Sequence, residues 1–267
     1  MGSETESERV LLEIKGKVGT VILNDPDNLN VLRVETFKRI IKIFEELEEN
    51  KKVKCVVIKS VGDRAFSAGL DTKMLTSGDM EIREKIVDVG SALSRVMFYY
   101  PKPIICCIAA RCVGWGFILA MLSDFRYSTR DIYFKLPELE IGIYPATGAL
   151  TLPMLHFGPS RGKAILLLSE KLFAEDAERI GFVNGLANTR EEVEAMVKEK
   201  AKYLSRLNAQ VFMYSKLNTS LIAPVNYEKA LKIEEECFDT LVKTGGSTDN
   251  YTLDLEEFKR LKKKYLS

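Results

Sequence analysis

The amino-acid sequence predicts an α/β fold over residues 9–205, followed by an all-helical region over 206–267 and preceded by a polar tail, 1–8. Three observations carry this. Residues 102–124, KPIICCIAARCVGWGFILAMLSD, read as a buried strand (104–109), a tight turn and a buried helix that starts near Trp115. CVVIKS (55–60) reads as a second buried strand, and each of these strands follows a segment with helical spacing of apolar residues. From about residue 206 the strand signal disappears and helical stripes replace it.

Taken in order, RVLLEIK (9–15) and VGTVIL (18–23) are strands joined by a Gly16-Lys17 turn, and DPDN (25–28) is a loop. Val34, Phe37, Ile41, Phe44 and Leu47 recur at helical spacing and predict an amphipathic helix over 33–49. The strand 55–60 ends in VGDRAFSAGLD, a loop of small residues, and Ile82, Ile86, Val89, Leu93 and Val96 mark the next helix. After Asp124 come FRYST and IYFKLPELEIGIYP, a strand running into a Pro/Gly loop, then short helices over 160–168 and 174–180. Thr189-x-x-Glu192 is a capping box for a helix carrying Val193, Met196, Val197 and Leu204. Tyr227, Leu231, Phe238 and Leu241 form one C-terminal stripe; Gly245-Gly246 breaks it, and Leu255, Phe258, Leu261 and Tyr265 form another.

The composition excludes more than it selects. The chain has 267 residues, 46% apolar and 29% charged, with a net charge of +1, so no overall field draws it to nucleic acid or to an anionic membrane. The run from Pro103 to Leu122 is long enough to suggest a membrane span, but Arg111 in its middle and two glycines argue against one. MGSETESE carries no secretory or transit signature, so a cytoplasmic location is expected. Cys55, Cys106, Cys107, Cys112 and Cys237 are odd in number, lack a CxxC pair and read as buried reduced thiols. The single histidine, His156, rules out a two-histidine metal site and lies far from any serine elbow; it reads as structural. Proton chemistry is therefore assigned to carboxylates, with no metal.

Three stretches could carry that chemistry: AFSAGLD (65–71), where small residues let a ligand approach the backbone; Gly114-Trp115-Gly116, a helix start with free N–H groups; and PELEIGIYP (137–145), a carboxylate pair framed by apolar residues. Each also reads as ordinary structure: a glycine loop after a strand, a core strand–turn–helix without a ligand, or a solvated loop carboxylate.

In order and spacing together they are specific. The chain resembles the enoyl-CoA hydratase/isomerase family, the crotonases. LNDPDNLNVL (23–32) is similar to the family's LNRP-x-x-x-NAL, and AFSAGLD to its AF-[SA]-AG-x-D. KPIICCIAARCVGWGFILAMLSDFRYS and LPELEIGIYPATGA follow its GGG and PE-x-x-LGI patterns. The resemblance implies a crotonase-like spiral of ββα turns and a helical part, 206–267, that forms a homotrimer or a hexamer. It implies acyl-CoA substrates and no separate cofactor, since CoA is part of the substrate. The thioester oxygen would be held by the backbone N–H groups of Leu70 and Trp115, where enolate charge develops. Ala68, Asp71, Ile118 and Glu140 are placed at the substrate, with Glu138 as the catalytic base.

The departures sharpen the expectation. The middle glycine of GGG is Trp115 here, whose indole must find room beside the acyl pocket. The glutamate that hydratases carry three residues later is Ile118, so Glu138 alone persists. Hydration asks for two carboxylates, whereas moving a double bond asks for one base that takes a proton from C2 and returns it at C4. This predicts a Δ3,Δ2-enoyl-CoA isomerase, with a hydratase or a non-catalytic acyl-CoA-binding relative as alternatives. If 137–141 is extended, Glu138 and Glu140 share a face, and Glu140 would assist or replace Glu138, with Glu138 preferred by position. The family's LNRP arginine is Asp25 here, so the CoA phosphates would be met by Lys73 or by the basic run from Lys259 to Lys264.

Overall fold

The computed structural model describes residues 6–71, 74, 80–221 and 227–243. A helical turn, α1 (Glu6–Arg9), leads into strand β1 (Val10–Lys15), so residues 6–8 of the expected polar tail are helical. Asn24 Nδ2 holds that turn through Glu8 O at 2.8 Å. The hairpin partner β2 (Val18–Leu23) pairs antiparallel with β1, and β3 (Cys55–Ser60), β4 (Ile104–Ile108), β6 (Phe125–Thr129) and β9 (Gly185–Ala187) then add in parallel. The order of this six-stranded sheet is β1-β2-β3-β4-β6-β9. A second, three-stranded sheet joins β5 (Cys112–Val113), β7 (Tyr133–Lys135) and β8 (Leu172–Phe173).

The large sheet is covered on both faces, which is why β3 and β4 read as unbroken apolar runs. Val56, Ile58, Ile104, Cys106 and Ile108 face a core that also takes Phe37, Ile40, Phe44 and Leu47 of helix α2 (Val34–Glu49) and Leu93 and Met97 of α3 (Met80–Phe98). Their sequence neighbours Cys55, Val57, Ile105 and Cys107 point the other way. They meet Val193, Val197, Ala201 and Leu204, the apolar stripe of α7 (Arg190–Leu204). Thr189 and Glu192 close the capping box of α7 in both directions. The 102–124 run divides into β4, β5 and the eight-residue buried helix α4 (Trp115–Leu122), and no described helix is long and apolar enough to cross a membrane.

Further elements differ from the sequence expectation, α5 and β9 most clearly. The helix expected over 160–168 is α5 (Thr151–Leu167), which starts nine residues earlier and breaks at Gly158, where φ is 70°, just before Pro159. Its first turns, TLPMLHF, are mostly apolar and show no clear amphipathic period to mark where the helix starts. β9 lies in FVNGLAN and, at three residues, is too short to show alternation. Helix α6 (Ala174–Arg179) follows β8.

The C-terminal region begins with α8 (Ala209–Leu221), tied down by Lys216 Nζ to Asp124 Oδ2 at 2.8 Å. Helix α9 (Tyr227–Lys243) packs against α3 and α5. Tyr227 stacks on Phe98 at 4.0 Å, and Arg95 pairs with Glu228 and Glu235. The stripe from Leu255 to Tyr265, the basic run with Lys259, and Lys73 lie outside the described residues.

Cys55, Cys106, Cys107 and Cys112 are free and buried, and burial pushes the Cys55 and Cys107 thiols up to about 12, so they are inert at neutral pH. His156 keeps an exposed edge while its Nε2 meets Met121 O at 2.7 Å, and desolvation of the ring, with the nearby Arg126, lowers its pKa. No group of residues suited to a metal ion occurs among the described residues.

Candidate functional site

The site is built where two loops cross. The first, 65–71, leaves the C-terminal end of β3 and is pinned by buried polar groups. Ser67 Oγ donates to Asn30 O at 2.8 Å and accepts from Gly69 N at 3.1 Å. Asn30, at φ 52°, donates through Nδ2 to Val61 O and Ala65 O, and its Oδ1 accepts from Asp25 N. Leu32 N donates to Gly69 O at 2.8 Å, and Leu32 O accepts from Asp71 N at 3.2 Å. This parallel pairing steps over Leu70 and turns its N–H away from the Leu32 strand.

The second loop enters α4. Val113 N donates to Ser67 O at 3.0 Å and Gly114 N to Lys135 O at 2.9 Å. Gly114 adopts φ 53°, ψ −124°, and α4 starts at the next residue. Contact between the loops requires glycine. A methyl group on Gly69, at φ 87°, would lie 3.1 Å from Trp115 N and 3.1 Å from Val113 O; one on Gly116 would lie 2.7 Å from Ser67 O. Two N–H groups, those of Leu70 and Trp115, thus come out at the crossing, and neither donates a hydrogen bond among the described residues. The Trp115 N–H also carries the positive end of α4.

Glu138 is brought to the same place. Its carboxyl lies against Gly114: a methyl there would be 3.4 Å from Glu138 Oε1 and 3.4 Å from Gly69 Cα. The residue as a whole is half-buried, but Oε2 is fully enclosed and has no hydrogen-bond partner among the described residues. Burial lifts its pKa to about 7, opposed by a backbone hydrogen bond. A carboxyl near neutrality beside two free N–H donors can take and return protons while they hold an oxyanion.

The segment 137–141 is not extended. Glu138 to Gly142 form a turn closed by Ile143 N to Glu138 O at 2.8 Å, so Glu138 and Glu140 do not share a face. Glu140 is exposed and pairs with Lys135 at 2.6 Å, which removes the geometric ground for its assisting. Ile118 is 1% exposed and sits one helical turn beyond Gly114, its N–H donating to Gly114 O. Ala68 is partly buried, its O 4.0 Å from a methyl on Gly114. Asp71 binds Arg33 Nε at 3.0 Å, and Arg33 Nη1 reaches the buried Asp25, also at 3.0 Å. Burial works against the Asp25 carboxylate, but hydrogen bonds from Asn28 and Arg33 and the charges of Arg33 and Arg9 keep its pKa below the usual range.

The indole of Trp115 finds room in the core. It meets Phe37 edge-on at 4.6 Å, lies over Gly90 of α3 and donates from Nε1 to Thr147 Oγ1 at 2.9 Å. Sequence reasoning missed Gly90, Thr147, Asn30 and Arg33. A glycine inside an amphipathic helix was a usable signal for close approach; the others become visible only through their partners.

A family model described as enoyl-CoA hydratase/isomerase matches residues 13–255. A short-chain-enoyl-CoA hydratase of Clostridium acetobutylicum is 27% identical over 95% of this chain and 97% of its own length. A crotonyl-CoA hydratase of Syntrophomonas wolfei is 28% identical over 94% and 96%. Among solved structures, an enoyl-CoA hydratase from Mycobacterium avium subsp. paratuberculosis superposes with a TM-score of 0.79 at 26% identity, covering 88% of this chain and 94% of that one. One from Bacillus halodurans reaches 0.81 at 20% identity over 88% and 95%, a likeness of fold.

Proposed function

The chain belongs to the enoyl-CoA hydratase/isomerase family, and from that premise we propose that it shifts a double bond in an enoyl-CoA from Δ3 to Δ2. The observation that carries this is the enclosed Glu138 carboxyl, titrating near 7 beside the Leu70 and Trp115 N–H groups, with buried Ile118 where a hydratase of the family carries its other carboxylate. Ionised Glu138 takes the C2 proton; the electron pair moves into the thioester, whose oxygen the two N–H groups stabilise. The same carboxyl then delivers the proton to C4, leaving the double bond between C2 and C3. Nothing is consumed, and one base suffices. The basic run from Lys259 and a homotrimeric or hexameric assembly belong to this reading as proposals carried by the family resemblance.

A second reading, enoyl-CoA hydration, is favoured by the names of the two full-length relatives. One optical experiment separates them. A 3-enoyl-CoA should gain the absorbance of a conjugated enoyl thioester on incubation, whereas crotonyl-CoA should keep it. Loss of that absorbance from crotonyl-CoA, without a gain from the 3-enoyl-CoA, would replace isomerisation by hydration.

A further inference from the structure

Resting on that reading of the site, we propose that Glu234, on α9 in the C-terminal helical region, is a positioning residue that fixes the end of the Glu138 loop and, through Thr147, the tryptophan that supplies the second N–H donor. Glu234 is 2% exposed. Its carboxylate accepts from Gly148 N at 2.6 Å, Thr151 N at 3.1 Å and Thr151 Oγ1 at 2.7 Å. It thus covers the free N–H groups at the start of α5 with a negative charge, the favourable polarity for that end.

The backbone it grips is a constrained one. Thr147 at φ 62° and Gly148 at φ 103° are consecutive left-handed residues, which a threonine adopts only where its surroundings dictate it. Thr147 is held at both ends: its O accepts from Ser94 Oγ at 2.6 Å, and its Oγ1 accepts from Trp115 Nε1 at 2.9 Å. The path from α9 to the oxyanion donor therefore runs Glu234, Gly148, Thr147, Trp115, through two hydrogen bonds and one peptide unit. Glu138 lies on the same loop, whose turn begins at Glu138 and which ends at this grip. A helix of the region expected to serve assembly and the CoA phosphates is linked in this way to the site.

Trp115 is the sole tryptophan, so its emission reports this path without reference to turnover. The test uses the full chain with Glu234→Gln, which keeps the shape and turns one acceptor into a donor facing N–H groups. The expected result is a kcat lower by about 10- to 100-fold, as for a small misplacement of reacting groups. KM should stay within about twofold, and Trp115 emission should move to the red as water reaches the ring. Thr147→Val cuts the second link without touching α9. It should give the same two changes, and the double variant should be no worse than either single one. A folded Glu234→Gln protein with unchanged kcat or unchanged emission overturns the proposal, as does additivity in the double variant. If Glu234→Gln does not fold, Thr147→Val decides alone, and an unchanged kcat there is fatal. If the wild type neither isomerises nor hydrates, the functional reading has failed. The emission arm, which needs no turnover, still judges the role of Glu234.

Discussion

In the proposed reaction Glu138 is the base, and its surroundings suit it to that role by burial rather than by a partner: Oε2 is enclosed and its pKa stands near 7. Activity should accordingly rise with pH and level off above an apparent pKa near 7, because only the ionised form can take the C2 proton. Glu138→Gln keeps the shape and removes the base. It should lower kcat by about 10²–10⁴-fold, with acyl-CoA affinity within about threefold. Glu140→Gln, by contrast, removes only an exposed pair with Lys135 and should change kcat by less than about twofold. Equal losses in the two variants would show that the base has been misassigned. Ile118→Glu places a second carboxylate one helical turn from Gly114, and measurable crotonyl-CoA hydration should then appear. The buried charge has its own cost in stability, so a melting curve should accompany the assay.

At the scale of elements, the site depends on β3, β4 and α4 carrying two loops into backbone contact. Gly69 lies at that contact, at φ 87° and with Trp115 N 3.1 Å from where a Cβ would stand. Gly69→Ala should cost roughly 1–3 kcal/mol of stability through the strained φ. It should also lower kcat/KM by about 10²-fold or more, since a displaced N–H is equivalent to a lost oxyanion donor. Thermal unfolding and steady-state kinetics on one preparation check both. A variant that melts early but turns over normally would remove the Trp115 N–H from the mechanism.

At the scale of the whole molecule, two buried carboxyls among the described residues titrate high, Glu138 and Glu234, both near 7 and both chiefly through burial. Above its ordinary pKa the unfolded carboxyl has released its proton while the folded one still holds it, so stability falls as pH rises from about 4.5 to about 7. A shift of this size corresponds to a few kcal/mol at most for each group, on the order of 1.4 kcal/mol per pKa unit. Glu138→Gln removes one such burden. The variant should be more stable than the wild type at pH 8, with the difference vanishing towards pH 4, as read by denaturant unfolding at each pH. A constant difference across that range would mean that Glu138 titrates normally in the folded protein.

The sequence by itself determined the central strands of the sheet, the helices α2, α3 and α7 that cover it and the neighbourhood of the site. Buried strands on a doubly covered sheet appear as continuous apolar runs, an amphipathic helix shows its period, and a capping box announces its own helix; each is a local consequence of burial. Four motifs in register then placed Leu70, Trp115 and Glu138 in one family pattern. What only the tertiary structure decided depends on partners far apart in the chain. PELEI could be read as extended, and it is a turn because Ile143 N closes on Glu138 O. The indole of Trp115 had to find room, and Gly90 and Thr147 supply it from two other segments. Glu234 sits in an acidic helical stretch, EEECFD, that reads as solvated, yet its carboxylate is buried on the backbone of residues 148–151. Spacing records which residues share a helix or a strand. It does not record which side chain from another element comes to meet them, because that is set by how the layers pack.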